Sequence, residues 1–153
     1  TVRLNDLTLE SIYLTHTHTD HIADLARLQS SFPSIRIYVS EKEPIEGAKL
    51  IGNEHNFSIG SLSVQSHLTW GHSKGGLTYV INGLERPIAI VGDALFAGSM
   101  GGGMVSYMDA LKTNRQYIFT LPDHTVICPG HGPMSSIGEE KKNNPFYPEF
   151  KNN

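Results

Sequence analysis

Six consecutive residues carry most of the chemistry this sequence offers: His16-Thr17-His18-Thr19-Asp20-His21. Three imidazoles and a carboxylate in so short a run are donors suited to zinc, iron or manganese. Side chains alternate along an extended loop, so His16 and His18 point the same way and can grip one ion together. Asp20 and His21 are adjacent and diverge where the chain turns into a helix, so they can serve a second ion nearby. Four donors are too few for two ions. Three more follow at His72, Asp93 and His131, each directly preceded by a glycine (Gly71, Gly92, Gly130). Glycine permits the sharp turns that bring a ligand into a crowded site. Pro129 stiffens the approach to His131.

Two divalent ions held by five neutral imidazoles, Asp20, Asp93 and one hydroxide would keep a net positive charge. Such a site polarises a carbonyl and stabilises an oxyanion. It also holds water as hydroxide near neutral pH, because a bound metal lowers the pKa of water to roughly 7. The metal-bound hydroxide is then the nucleophile, and no serine or cysteine triad is required. The remaining histidines, His55, His67 and His124, read as solvated surface residues. Cys128 follows Val126 and Ile127 and reads as a small core residue; Trp70 reads as packing. Gly101–Gly103 lacks a dinucleotide or phosphate-loop fingerprint, and the Asn56-Phe57-Ser58 sequon is read as chance.

The elements that must position these residues alternate between strand and helix. Strands are expected at Leu9–Thr15, Ile35–Val39, Leu62–Leu68, Leu77–Ile81, Pro87–Val91 and Thr125–Cys128. A helix with Ile22, Leu25, Ala26 and Leu28 on one face follows the histidine run and ends before Pro33. Ser106 with Asp109 marks a capping box that opens a helix to about Phe119, and Ser136 with Glu139 opens a last helix, stopped before Pro145. Glu41–Gly47 carries no periodicity, and 98–103 is a glycine-rich loop. The ligand-bearing segments lie just beyond strand ends, where sites form in α/β architectures.

The chain has 153 residues, an apolar share of 39 % and a formal charge of −3. Its length argues for one domain. The slightly acidic balance argues against nucleic acid as a partner, and no apolar run is long enough to cross a bilayer. A single cysteine excludes an internal disulfide and fits a reducing compartment. With no basic-then-apolar leader, a cytoplasmic location is expected.

The motifs resemble those of the metallo-β-lactamase superfamily over nearly the whole chain. His16–His21 matches its HxHxDH run; Gly71-His72-Ser73, Gly92-Asp93-Ala94-Leu95-Phe96 and Pro129-Gly130-His131-Gly132-Pro133 match its later motifs in order. GDALFAGS and the ending EEKKNNPF are similar to the glyoxalase II-like branch. The resemblance implies an α/β fold, an αββα sandwich, with two divalent ions, zinc first and iron or manganese as alternatives. By motif match, His16, His18 and His72 would hold the first ion, Asp20, His21 and His131 the second, and Asp93 would bridge them. Asp20 and Asp93 would be the catalytic carboxylates, Asp20 also handling the leaving group's proton.

The implied activity is metal-dependent hydrolysis of a small ester-like bond, a thioester first, on a small-molecule substrate. Two alternatives stay open: a mononuclear iron persulfide dioxygenase, and a non-catalytic metal-binding fragment of the fold. The family ordinarily carries several strands before its first motif, whereas fifteen residues precede His16. Residues 1–153 are therefore expected to be one domain, the C-terminal portion of the full fold, incomplete at the N-terminus. Apolar surface left open would favour a homo-oligomer or a complementing N-terminal segment. The loop after Gly98 reads Ser-Met-Gly-Gly-Gly where glyoxalase II enzymes often place a basic residue. No C-terminal glutathione-binding helical domain is seen, which argues against glutathione thioesters as substrates.

Overall fold

The computed structural model describes residues 7–148. Three short strands, β1 (Ser11–Tyr13), β2 (Arg36–Ser40) and β3 (Lys49–Ile51), pair in parallel in the order β1-β2-β3. Between β1 and β2 run two short helices, α1 (Thr19–Ile22) and α2 (Leu25–Ser31). A second sheet of six strands holds β4 (Asn56–Ile59), β5 (Leu62–Leu68), β6 (Leu77–Asn82), β7 (Ile88–Gly92), β8 (Val126–Pro129) and β9 (Ser135–Ser136) in chain order. All its pairings are antiparallel except β7 with β8, which is parallel. Helix α3 (Tyr107–Thr113) precedes β8, and α4 (Ile137–Asn143) follows β9.

Alternation along the strands creates four layers. Ile12, Ile37 and Val39 face Leu25 and Ile22, so α1 and α2 cover the outer face of the small sheet. Tyr13 and Tyr38 point the opposite way and meet Leu77, Tyr79, Val64 and Phe57 of the large sheet. Tyr13 stacks on Tyr38 at 4.7 Å and on Phe57 at 4.9 Å between ring centroids. Ala89, Val91 and Ile127, on the far face of the large sheet, pack against Ala110 and Leu111 of α3, Ile118, and Ile137 of α4. The order helix, sheet, sheet, helix is an αββα sandwich, as expected.

Strand direction positions the site. β5, β7 and β8 run the same way, so the loops after Leu68, Gly92 and Pro129 leave one rim of the large sheet. The small sheet delivers the end of β1 to that rim, where the N–H of Leu77 donates to the carbonyl of Thr15 at 2.7 Å. The Tyr79 hydroxyl donates to the Leu14 carbonyl at 2.7 Å, one residue earlier.

Several sequence expectations need correction. The first strand is shorter than Leu9–Thr15, because Thr15 leaves its own sheet to bond Leu77. The helix after His21 breaks into two, with Asp24 as the N-cap residue of the second. The Ser106 helix begins as expected, its hydroxyl accepting from the Asp109 N–H at 3.3 Å. It does not continue in α form to Phe119 but widens into a π-helical turn at Asn114–Ile118. Two tertiary hydrogen bonds accompany the change: Thr113 Oγ1 to the Trp70 carbonyl at 3.0 Å, and Asn114 Nδ2 to the Ala94 carbonyl at 2.9 Å. Strands β3, β4 and β9 were not expected; they are two to four residues long, too short to show a period.

His67 is not a solvated loop residue. It lies half-buried on β5, stacked on Tyr117 at 4.9 Å, and burial pushes its pKa down. His55 and His124 are exposed. Cys128 is only half-buried, its Sγ 3.7 Å from Met134 Sδ; strand alternation gives the core position to Ile127 instead.

Candidate metal centre

All seven donors singled out in the sequence converge on the rim. Nε2 of His16 lies 3.1 Å from Nδ1 of His18, which lies 3.0 Å from Nε2 of His72. Nε2 of His131 lies 3.1 Å from Oδ2 of Asp20, and Nε2 of His21 lies 3.7 Å from the same oxygen. Asp93 stands between the two groups. Its Oδ1 is 3.3 Å from His21 Nε2, and its Oδ2 is 3.5 Å from both His72 Nε2 and His131 Nε2. Three overlapping sets result: His16, His18 and His72; His16, His21 and Asp93; Asp20, His21 and His131.

Local backbone explains how residues so far apart arrive together. Gly92 adopts φ +53, a left-handed conformation that turns the chain at the end of β7 and aims Asp93 inward. A Cβ there would sit 2.7 Å from the Thr15 side chain. At Gly130 a Cβ would run into Oδ1 of Asp93 and the His21 ring. Any larger residue before His131 would therefore displace two donors.

The residues fit a pair of metal ions. Two donors on one tetrahedral ion lie roughly 3.3 Å apart, given metal–ligand bonds of about 2.0–2.1 Å; the separations above match. Three imidazole nitrogens about one hydrogen bond apart cannot all be satisfied by one shared proton, whereas a cation satisfies all three. His72 Nδ1 lies 2.9 Å from the Gly102 carbonyl, which calls for the proton on that nitrogen and leaves the Nε2 lone pair facing the cluster. His16 Nδ1 lies 3.3 Å from Thr15 Oγ1, a hydroxyl that can accept from it, and its Nε2 faces His18. Buried His21 Nε2 and Asp93 Oδ1 have no hydrogen-bond partner, a costly arrangement unless a cation completes it.

Electrostatics point the same way. Burial pushes the His16 imidazole down to about 4, and neighbouring His21 adds to the effect while Asp93 opposes it. His16 is therefore neutral near pH 7, the form that binds metal. For Asp20 the desolvation contribution acts upward, but its own backbone N–H and the His21 and His131 imidazoles outweigh it and hold the carboxyl below its ordinary range.

The supports around the donors were not visible in the sequence. The Gly102 carbonyl sits thirty residues from the ring it orients. Asn114 was placed inside an ordinary helix, yet it is almost wholly buried and holds the carbonyl of Ala94, next to Asp93.

Comparison with known proteins agrees with this geometry. The family model described as the metallo-beta-lactamase superfamily matches residues 2–131, and the chain belongs to that superfamily. A probable metallo-hydrolase of Streptococcus pyogenes is 32 % identical over 166 residues, covering 91 % of this chain and 71 % of that protein. A hydroxyacylglutathione hydrolase of Yersinia enterocolitica is 31 % identical over 124 residues, covering 80 % of this chain but only 47 % of that enzyme. The crystal structure of BLEG-1, a B3 metallo-beta-lactamase, superposes with a TM-score of 0.84 at 30 % identity, covering 95 % of this chain and 80 % of that one. Among the described residues, no helix is long and apolar enough to cross a membrane.

Proposed function

We propose that this chain is a two-metal hydrolase of small thioesters. The observation that carries the reading is the continuous set of seven donors, two groups of three joined through the single carboxylate of Asp93. His16, His18 and His72 would hold one ion and Asp20, His21 and His131 the other, with the Asp93 carboxylate shared between the two sets of donors. Zinc suits this imidazole and carboxylate set best, with iron as the near alternative. When bound, two divalent ions supply Lewis acidity, making water acidic enough to attack near neutral pH and drawing charge from the substrate carbonyl.

The chain's own residues then divide the work. The Gly102 carbonyl fixes the His72 ring with its Nε2 lone pair inward, and the Thr15 hydroxyl holds the His16 ring in place. Asp20, ionised and open to solvent, stands at the mouth, where it can take a proton released during attack. Hydrolysis of a thioester forms a carbon–oxygen bond, breaks the carbon–sulfur bond and releases an acid and a thiol. A thiol's ordinary pKa is about 8.5, so its thiolate leaves with little acid assistance. Similarity to a hydroxyacylglutathione hydrolase supports a thioester, and similarity to a B3 metallo-beta-lactamase makes a lactam the competing substrate.

The test is a panel of small thioesters and lactams with protein carrying two zinc ions. Thioester turnover that disappears in His18→Ala and Asp93→Ala is expected. Undiminished turnover in either variant, or no thioesterase activity with both ions bound, overturns the reading.

A further inference from the structure

Two carboxylates outside the donor set stand on opposite flanks of the rim, and each ties together two of the four ligand-bearing loops. Glu43 follows β2. Its Oε2 accepts from the N–H and the hydroxyl of Thr17, both at 2.8 Å, and its Oε1 accepts from the N–H of Gly75 at 2.8 Å. Thr17 lies between His16 and His18, and Gly75 lies three residues beyond His72. Glu140, on α4, is almost wholly buried. Its Oε2 accepts from the Gly98 N–H at 2.9 Å and from Asn144 Nδ2 at 2.7 Å, and its Oε1 accepts from the Ser135 hydroxyl. Gly98 lies within the loop after Asp93, and Ser135 ends the loop after His131. Asn144 Nδ2 also donates to the Ser99 carbonyl at 2.9 Å, adding a second tie to the Asp93 loop.

A carboxylate removed from water is costly unless fully hydrogen-bonded or paired with a cation. Among the described residues no lysine or arginine pairs with either Glu43 or Glu140. Their negative charge is met by loop N–H and hydroxyl groups and, at Glu140, by the Asn144 side-chain amide. Burial would raise the Glu43 carboxyl, but the donors from Gly75, Ser73 and Thr17 outweigh it and hold it below its ordinary value. Hydrogen bonds to an ionised acceptor are the strong kind, roughly twice a neutral one. A carboxylate can accept at both oxygens; an amide in its place would present an N–H₂ to donors that need an acceptor.

We propose that Glu43 and Glu140 are paired positioning residues, each setting the separation of two ligand loops and so the affinity of one metal site. Glu43 governs the His16, His18 and His72 site; Glu140 governs the site completed by His131. The proposal rests on the two-metal reading above, though not on its substrate.

The experiment is zinc competition against a chromophoric chelator, with thermal melting of the metal-free protein alongside. The wild type is expected to bind two ions. Glu43→Gln is expected to weaken one binding step by about 10- to 100-fold, the usual cost of losing an outer-shell partner. In a His131→Ala background, which keeps only the three-imidazole site, the loss from Glu43→Gln persists. In a His18→Ala background it disappears. Glu140→Gln is expected to show the reverse pattern. Should either glutamine variant not fold, Thr17→Val and Ser135→Ala each remove a single hydroxyl from a clamp; each should weaken only its own site, by a few-fold. Melting shifts with both zinc affinities unchanged reduce the clamps to fold staples and overturn the proposal. Failure of the wild type to bind zinc overturns the two-metal reading instead, and the clamps with it.

Discussion

The two halves of the metal centre are built for different tasks. His16 is 2 % exposed, and the groups fixing His16 and His72 are backbone or threonine oxygens within the rim. In the other half His21 is as shielded as His72, but the side chains of Asp20 and His131 are 58 % and 57 % exposed. The first half is preformed and shielded from water. The second is partly open, with its two exposed donors on α1, within the histidine run, and on the loop after β8. A buried, oriented ligand set loses little freedom on binding an ion, whereas an exposed set must be ordered when the ion arrives. If two ions bind as proposed, the one on the shielded imidazoles would be the more tightly held.

The largest expected effect comes from removing what the halves share. Asp93→Ala should bring bound metal from two ions to one or fewer and cut activity by well over 100-fold, beyond the range for outer-shell partners. Metal analysis of the purified variant checks this; two retained ions would mean that Asp93 does not join the halves. A chelator should next separate them. Timed removal from the wild type is expected in two phases, the first costing one ion and most of the activity, and His131→Ala should abolish the fast phase alone. Loss of both ions in one phase would erase the distinction between the halves.

A smaller effect should follow from Tyr79→Phe. It deletes the hydroxyl that holds the Leu14 carbonyl beneath His16 and leaves that buried acceptor unpaired, at a cost of about 1–2 kcal/mol. Chemical denaturation measures it, and chelator kinetics should show the slow phase quickened while the fast phase is unchanged.

The smallest effect is expected far from the centre, at Asp123. Lys141 donates to its carboxylate at 2.7 Å, and that bond and charge hold the carboxyl below its ordinary value of 3.8. A depressed folded value stabilises the protein above the ordinary pKa and is lost as the pH falls through the lower one. Asp123→Asn should therefore flatten only the acid limb of a melting-temperature profile, slightly, because the pair is solvent-screened. Metal content should be untouched; a change in either half's affinity would extend the centre farther than its geometry does.

The site was more legible than the fold around it. Ligand chemistry is a property of residue type, and histidines with aspartate two apart are rarely needed to fill a core, so His16–His21 stood out unaided. The strands with a clear period, such as Leu62–Leu68, were legible for the same local reason. Lys49–Ile51 and Asn56–Ile59 were not, because three or four residues cannot display alternation and their pairing is supplied by neighbours. His67 looked like a solvated residue until Tyr117, fifty positions away, was found stacked on it.

The identity of the donors, their order and the turns that precede them were written into the sequence, because imidazole, carboxylate and glycine carry their chemistry wherever they stand. Which nitrogen faces inward, which donors are shielded and which are open, and which glutamates hold the loops were decided only by tertiary structure. Those properties depend on distances between segments that the chain brings together through the parallel run of β5, β7 and β8 and the junction of Thr15 with Leu77. No local pattern encodes a distance of that kind.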